Sequence, residues 1–514
     1  MLLHKPSKEN TRAVMLCALY SLILLFFLSP DSYIRDLSCR CDSAWFFTCG
    51  KAWMNGMTPY VDFADSKGPL LWLTYGIGYL LNHHSYVGVF WISVIFYTAT
   101  LFLAYRLSRL FLDAKASAVA TAFIPFFLFL YIYHFEVRAE DFCNTFMMLV
   151  LYALCRVLRD WRVLSGKTYF LCAVAMGVSC AACAMIKWNI GVMILMFMAV
   201  ALLYSIRAGH GWWALGGMAA GFIVVVAPFV IYLLCCDAFN DFIREYFSAT
   251  ASTVGVSENT LSPISLIRHS LVGLKKFFLL LFFGLLLFLW KKKKAYWWLL
   301  PCFILMWVAV RGFGSWAYYA MIFAPFAIFP IIKIVEVLFD KLRLFARLTP
   351  VLCLFAAIVS IAINVISVNK KFEPSKIWRQ SYYRANYVMA QIEHPKVLCY
   401  SHDYGIGAPA GVIPACKYWA LQNGATEEMI SEREQALKNG SPDFVIVLVK
   451  YEDSEFYDET ERVENAGYVL YETTLGEYRP SICRVYGRPG LKLPPDDFYV
   501  SDWDVWLKRN IFGI

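Results

Sequence analysis

Asp42 and Lys67 are the residues of this chain whose types and surroundings point most directly to chemistry. Asp42 heads an aromatic stretch, CDSAWFFTCGKAWMNG, from Cys41 to Gly56. Lys67 stands in DFADSKGPLLW, from Asp62 to Trp72, at the mouth of an apolar segment. At a membrane surface such a pair could activate an acceptor hydroxyl with the carboxylate and hold a lipid phosphate with the cation. Phe46, Cys49, Trp53 and Met57 recur at helical spacing with Thr48, Lys51 and Asn55 between them. That is the pattern of a helix lying along an interface, and Gly56 and Pro59 end it.

The rest of the chain must place this loop at a membrane. Of 514 residues, 60% are hydrophobic and 17% charged, more apolar surface than one water-soluble core buries. The expected fold class is a polytopic α-helical membrane protein of about 11 spans: 13–29, 86–105, 116–135, 142–158, 168–186, 190–206, 212–234, 275–290, 295–310, 316–332 and 348–368. The first reads as a retained span, since no small-residue cleavage site follows it. The segment 69–81 is short, about 13 apolar residues, and reads as re-entrant or interfacial.

Charge distribution orients these spans and argues against nucleic acid as a partner. The net charge is +9, but residues 369–514 hold 17 Lys/Arg against 21 Asp/Glu, so the positive excess belongs to residues 1–368. It gathers between apolar runs, at Arg106, Arg109 and Lys115, at Arg156, Arg159, Arg162 and Lys167, at Lys291 to Lys294, and at Lys333, Lys341, Arg343 and Arg347. Such clusters mark cytoplasmic loops. With the N-terminus inside, 19 of the 30 cations before residue 369 lie in or beside cytoplasmic loops, and 12 of the 17 acids face the other side. The outer face then collects Asp31, Asp36, Asp42, Asp62 and Asp65, followed by Glu136, Arg138, Glu140 and Asp141, then Arg244, Glu245, Glu258 and Arg268, and Arg311. Charges at membrane depth are paired or used.

At three places the chain resembles the GT-C superfamily of polytopic glycosyltransferases. The first outer loop carries an acid (Asp42), an interfacial helix (43–57), Pro59-Tyr60, and Lys67-Gly68-Pro69-Leu70 leading into the next helix. FEVRAEDFCNTFMMLVLY, from Phe135, is similar to the family's second outer loop, in which an acid opens the following helix. Asp141 is the better match and Glu140 its competitor. RGFGSWAYYAMIFAP, from Arg311 to Pro325, is similar to a late family segment in which a polar or aromatic cluster precedes a helix with an internal proline. Gly68 stands where many members have proline.

The resemblance implies transfer of a sugar from a polyprenyl-phosphate donor to an acceptor hydroxyl on the extracytoplasmic face, the acceptor being a lipid, glycan or protein. Asp42 would be the general base of an inverting displacement, and Lys67, with Arg138, Arg268 or Arg311, would hold the departing phosphate. Asp65, Glu140 and Tyr319 are further substrate-binding candidates. Asp141 would orient the acceptor or hold a cation, or equally serve as an acid favoured at a helix N-terminus. A divalent cation stays open as a cofactor. The layout points to a bacterial inner membrane.

Several cations have plainer readings. Lys51, Lys275 and Lys276 read as snorkelling to headgroups, Lys187 as a lipid-facing anchor or a phosphate ligand, and Arg138 as a partner of Glu136 and Glu140. Tyr318 and Tyr319 fit an interfacial aromatic belt. Cys39 and Cys41 lack the further ligands of a zinc site, and no Walker-type glycine loop occurs. The competing function, a lipid-linked-sugar flippase, would more naturally show an internal repeat with broken helices in both halves, which is not evident.

After residue 368 the composition becomes that of a soluble domain, 369–514, placed outside the membrane. Helices are expected at 375–393 and 426–439, and strands at 396–400, 443–449, 467–472 and 480–486, a small α/β domain. The loop 401–407, SHDYGIG, is a candidate acceptor contact.

Overall fold

Apolar runs punctuated by prolines, caps and extended breaks set the helices. The computed structural model describes residues 8–33, 41–130, 137–248, 275–311, 317–341, 345, 347–369, 376–401, 405–420, 426–450, 459–475, 482–495 and 498. Helix α1 (Lys8–Leu28) stops just before Ser29-Pro30, and α2 (Cys41–Met54) and α3 (Pro69–Leu81) follow. Next come α4 (Val87–Ser108), α5 (Ala114–Leu130) and α6 (Ala139–Asp160). Helix α7 (Gly166–Ile186) starts at Ser165, whose side chain accepts from the Thr168 N–H, and Lys187, in extended conformation, separates it from α8 (Trp188–Arg207). Helix α9 (Gly211–Cys235) leads into the short α10 (Phe239–Phe242) and a π-turn, Ile243–Ser248. The membrane body ends with α11 (Lys275–Leu289), α12 (Leu299–Arg311), α13 (Ile328–Lys341) and α14 (Thr349–Asn369).

Seven helices among the described residues are long and apolar enough to cross a membrane: α1, α4, α6, α7, α8, α9 and the stretch Ala320–Lys341. The other four expected spans coincide with the shorter apolar helices Ala114–Phe127, Phe278–Leu289, Lys294–Ala309 and Thr349–Ile363. The expected span 316–332 needs correction. Ala317–Ala327, which contains Pro325, is a 3₁₀ stretch, and the α-helix runs from Ile328 to Lys341. Lys333 therefore sits inside a helix instead of in a loop, held by Glu336 at 2.9 Å, while Glu336 also pairs with Lys292 at 2.8 Å.

The two ends of the helical body differ in charge. At one end Glu9 of α1 meets Arg109 at 3.0 Å, Arg159 donates to the Leu110 carbonyl, and Lys293 donates to the Arg159 carbonyl. The lysine and arginine clusters thus share one end. The opposite end collects the starts of α2, α3 and α6 and the α7–α8 break. Both ends of α3 lie there: the Gly68 N–H donates to the Ile186 carbonyl, and Gly78 packs on Gly88 and Val89 at the start of α4.

The C-terminal part begins with α15 (Lys376–Met389) and folds onto a five-stranded sheet ordered β2-β1-β3-β5-β4, from β1 (Lys396–Tyr400), β2 (Ile413–Pro414), β3 (Phe444–Lys450), β4 (Val469–Leu475) and β5 (Ile482–Gly487). The pairings of β1 with β2 and with β3 are parallel, and those of β5 with β3 and with β4 antiparallel. Between strands lie α16 (Glu427–Lys438), capped by Thr426 onto the Met429 N–H, and α17 (Thr460–Asn465). The expected elements are present; β2 and α17 are additions, each too short for a periodic signal. One sheet face buries Leu398, Val445 and Val447 against Leu437 and Val463. The other, through Val397, Cys399, Phe444 and Ile446, belongs to the same apolar cluster as α2 and α3.

Candidate active site

Helix α2 forms the floor of the candidate site, and it is not the half-exposed interfacial helix its periodicity suggests. Residues Ser43 to Ala52 are all buried, Thr48 and Lys51 included. Lys51 is fully buried rather than snorkelling: its ammonium donates to the Ala408 carbonyl at 3.2 Å and lies 5.2 Å from the Phe47 ring centre. Burial pushes this amine down to about 7. The polar face that should meet water meets the C-terminal part of the chain, where Trp45 packs on Trp419 with ring centres 5.8 Å apart.

Asp42 is half-buried in the first turn of α2. Phe46, one turn later, shares its face. The Lys67 ammonium lies 5.7 Å from the Phe46 ring centre, so Lys67 approaches α2 on the face that carries Asp42. Lys67 is also 3.8 Å from Asp65, whose other oxygen accepts from the Ser66 N–H at 2.6 Å. Asp65 is buried and its carboxylate faces the Lys67 ammonium itself, while 20% of the Lys67 side chain is exposed. Tyr60 fixes the Lys67 backbone by donating its hydroxyl to the Lys67 carbonyl at 2.8 Å, with its ring against Trp72.

Lys67-Gly68 abuts the α7–α8 break, which brings in the second outer loop. A Cβ on Gly68 would lie 2.0 Å from the Met185 carbonyl oxygen, so only glycine admits this approach. Beyond the break, Lys187 pairs with Glu140 at 2.6 Å, with 12% and 3% of their side chains exposed. Lys187 is therefore neither a lipid-facing anchor nor a free cation, and Glu140 is occupied as its counter-ion. The next acid, Asp141, accepts from the Arg138 N–H at 2.9 Å, the capping geometry of a helix-N-terminal acid. It also lines a small cleft between α1, α4 and α6, beside Ser93 and Tyr97. Phe46, Tyr75 and Phe142 connect α2, α3 and α6, and the Tyr75 hydroxyl donates to the Val137 carbonyl.

The structure thus gathers Asp42, Asp65, Lys67, Arg138, Glu140 and Asp141 at one end of the helical body. Arg138 is half-buried at the N-cap of α6. Arg268 lies outside the described residues, and so do the side chains of Arg311 and Tyr319. His402, Asp403 and Tyr404 of the candidate acceptor loop also lie outside them. Among the described residues no group of three or more His, Cys, Asp or Glu could hold a metal ion.

No family model matches the sequence, and no curated protein does. Solved structures do match in shape. ArnT from Cupriavidus metallidurans bound to undecaprenyl phosphate superposes with a TM-score of 0.58 at 12% identity, covering 92% of this chain and 97% of ArnT. Its apo form gives 0.60 at 11% identity with the same coverage. This chain has the ArnT fold. At 11–12% identity the likeness is one of fold, and it extends over 92% of this chain.

The partner of Lys187 and the residues that hold the C-terminal sheet region on α2 are what sequence reasoning missed. The MIKWN interruption between two apolar runs signalled Lys187, but its partner is 47 residues away in sequence. Lys51 carried no signal, because its acceptor lies 357 residues further on.

Proposed function

We propose that this protein transfers a sugar from a polyprenyl-phosphate donor to an acceptor hydroxyl on the extracytoplasmic face of a membrane. The observation that carries this reading is the placement of Lys67 beside the Asp42 face of α2 in a chain with the ArnT fold, a fold one of whose structures binds undecaprenyl phosphate. The Lys67 ammonium would take the phosphate at the headgroup boundary, where a charge-assisted bond gains as charge builds on the departing oxygen. Asp42 would remove the acceptor proton as its oxygen attacks the anomeric carbon, inverting that centre. Asp65 would keep Lys67 in place, and Asp141, at the cleft, would orient the acceptor. Lys67, with one or more of Arg138, Arg268 and Arg311, would meet the phosphate's charge.

The test is transfer by purified protein from a defined polyprenyl-phosphate sugar. Asp42→Asn is expected to lower turnover by about 10²–10⁴-fold with polyprenyl-phosphate affinity retained. Lys67→Met is expected to weaken that affinity instead. Equal turnover by wild type and Asp42→Asn would remove Asp42 as base, and binding of the lipid without any transfer would favour the flippase reading.

A further inference from the structure

Residues 405–420 of the C-terminal domain reach the floor of the site at three places. The Ala408 carbonyl accepts from Lys51, Trp419 packs on Trp45, and the Lys417 carbonyl accepts from the Ala64 N–H at 3.0 Å. Ala64 directly precedes Asp65, the acid that braces Lys67. The third contact therefore ends one residue from the phosphate-binding candidate's support.

Lys417 is anchored from both directions. Its ammonium lies between Asp241 of α10 at 3.1 Å and Glu245 of the π-turn at 3.0 Å, with 10% of the side chain exposed. The neighbouring Tyr418 hydroxyl donates to the same Glu245 at 2.9 Å. From the domain side, Glu432 accepts the Lys417 N–H at 3.0 Å. Arg433, 2% exposed, donates to the Tyr418 and Cys399 carbonyls at 2.7 and 2.9 Å. Arg244 also meets Asp241 and Glu245, but more than half of its side chain is exposed, so Lys417 is the buried counter-ion of the pair. Displacing Lys417 would leave the buried Glu245 carboxylate without this counter-ion, which resists movement of the segment.

We propose that Lys417 is a positioning residue for donor binding: clamped on Asp241 and Glu245, it holds its own carbonyl on Ala64 and so presets the Asp65–Lys67 pair for the phosphate of the polyprenyl donor. This rests on the glycosyl-transfer reading. Lys417 touches neither donor nor acceptor and takes no part in bond making. Without it, the phosphate has to order the 64–67 loop on binding, which weakens affinity while leaving the step at saturation alone.

The experiment uses the full chain in lipid nanodiscs, with sugar-free polyprenyl phosphate as the binding probe and steady-state transfer as the second readout. Lys417→Met is expected to raise Kd for polyprenyl phosphate and KM for the donor by about tenfold, with kcat within about twofold of wild type. Lys417→Arg, which keeps the charge, is expected to restore both to within about threefold. Asp241→Asn removes one carboxylate of the clamp and keeps the proposal testable if Lys417→Met does not fold; it is expected to move Kd in the same direction by about threefold. Unchanged Kd in the folded variants would overturn the proposal, and so would an equal fall in kcat with no rescue by arginine, which marks a merely structural contact. Failure of the wild-type protein to bind polyprenyl phosphate would overturn the underlying reading itself and the proposal with it.

Discussion

Tyr60 shows how single residues hold the site. It occupies the left-handed backbone region at φ 69 with its side chain fully buried, a conformation a bulky residue keeps only when its surroundings demand it. The demand comes from its hydroxyl on the Lys67 carbonyl and its ring between Trp72 and Phe242. Tyr60→Phe should lower the unfolding free energy by about 1 kcal/mol and weaken donor binding more than it lowers turnover at saturation, measured by chemical denaturation and steady-state kinetics. Gly68→Ala is a harsher change, since its methyl would press on the Met185 backbone, and loss of folded protein on size-exclusion chromatography is the expected result. Lys51 adds a pH dependence. Its folded amine is held down at about 7, below the usual 10.5, so between those values the unfolded chain binds more protons and stability rises with pH. The gain is complete above about 10.5, shrinks as the pH falls across this window, and is gone below about 7, where both states bind the proton. Thermal unfolding of Lys51→Met should show a flatter rise across this window than wild type. That Asp42 and Lys67 approach each other was legible in the sequence because each belongs to a local motif of one loop. Lys51 was not, because periodicity shows that a helix has a polar face and not what covers it.

At the scale of elements, the Glu140–Lys187 pair joins the start of α6 to the α7–α8 break, and through Gly68 to the start of α3. Removing one partner strands the other at low exposure, so Glu140→Gln should destabilise the protein by about 3–5 kcal/mol. The double variant Glu140→Leu with Lys187→Met should recover a large part of that loss, because neither charge is then left alone. Thermal denaturation of the three proteins measures both effects; equal stability of wild type and Glu140→Gln would show that the pair is not closed in solution. The apolar runs that define α4, α6, α7, α8 and α9 were readable because a long uninterrupted run has one interpretation in a membrane. The 316–332 segment was misplaced because Lys333 looks like the end of a span until Glu336, one turn on, is seen to neutralise it. Strand β2 escaped notice because it has two residues and exists through its pairing with β1.

For the whole molecule, the charges at its two ends set an orientation that can be tested without substrate. The lysine and arginine clusters converge through the Glu9–Arg109 pair and the Arg159 and Lys293 contacts, while the candidate site and the C-terminal sheet share the other end. Cationic loops stay on the cytoplasmic side during insertion, so the sheet and the site should face outward. A protease added outside intact spheroplasts should remove a C-terminal fragment cut within 369–514, whereas the same protease should spare it in inside-out vesicles. The reverse pattern would invert the molecule and place Lys67 where an outward-facing lipid phosphate could not reach it. Docking should also limit the cleavage, because one face of the sheet is continuous with the apolar cluster of α2 and α3. Weakening that seam by Trp419→Ala should speed proteolysis of the domain, and by the same seam loosen the 64–67 loop, so donor binding and protease resistance should fall together.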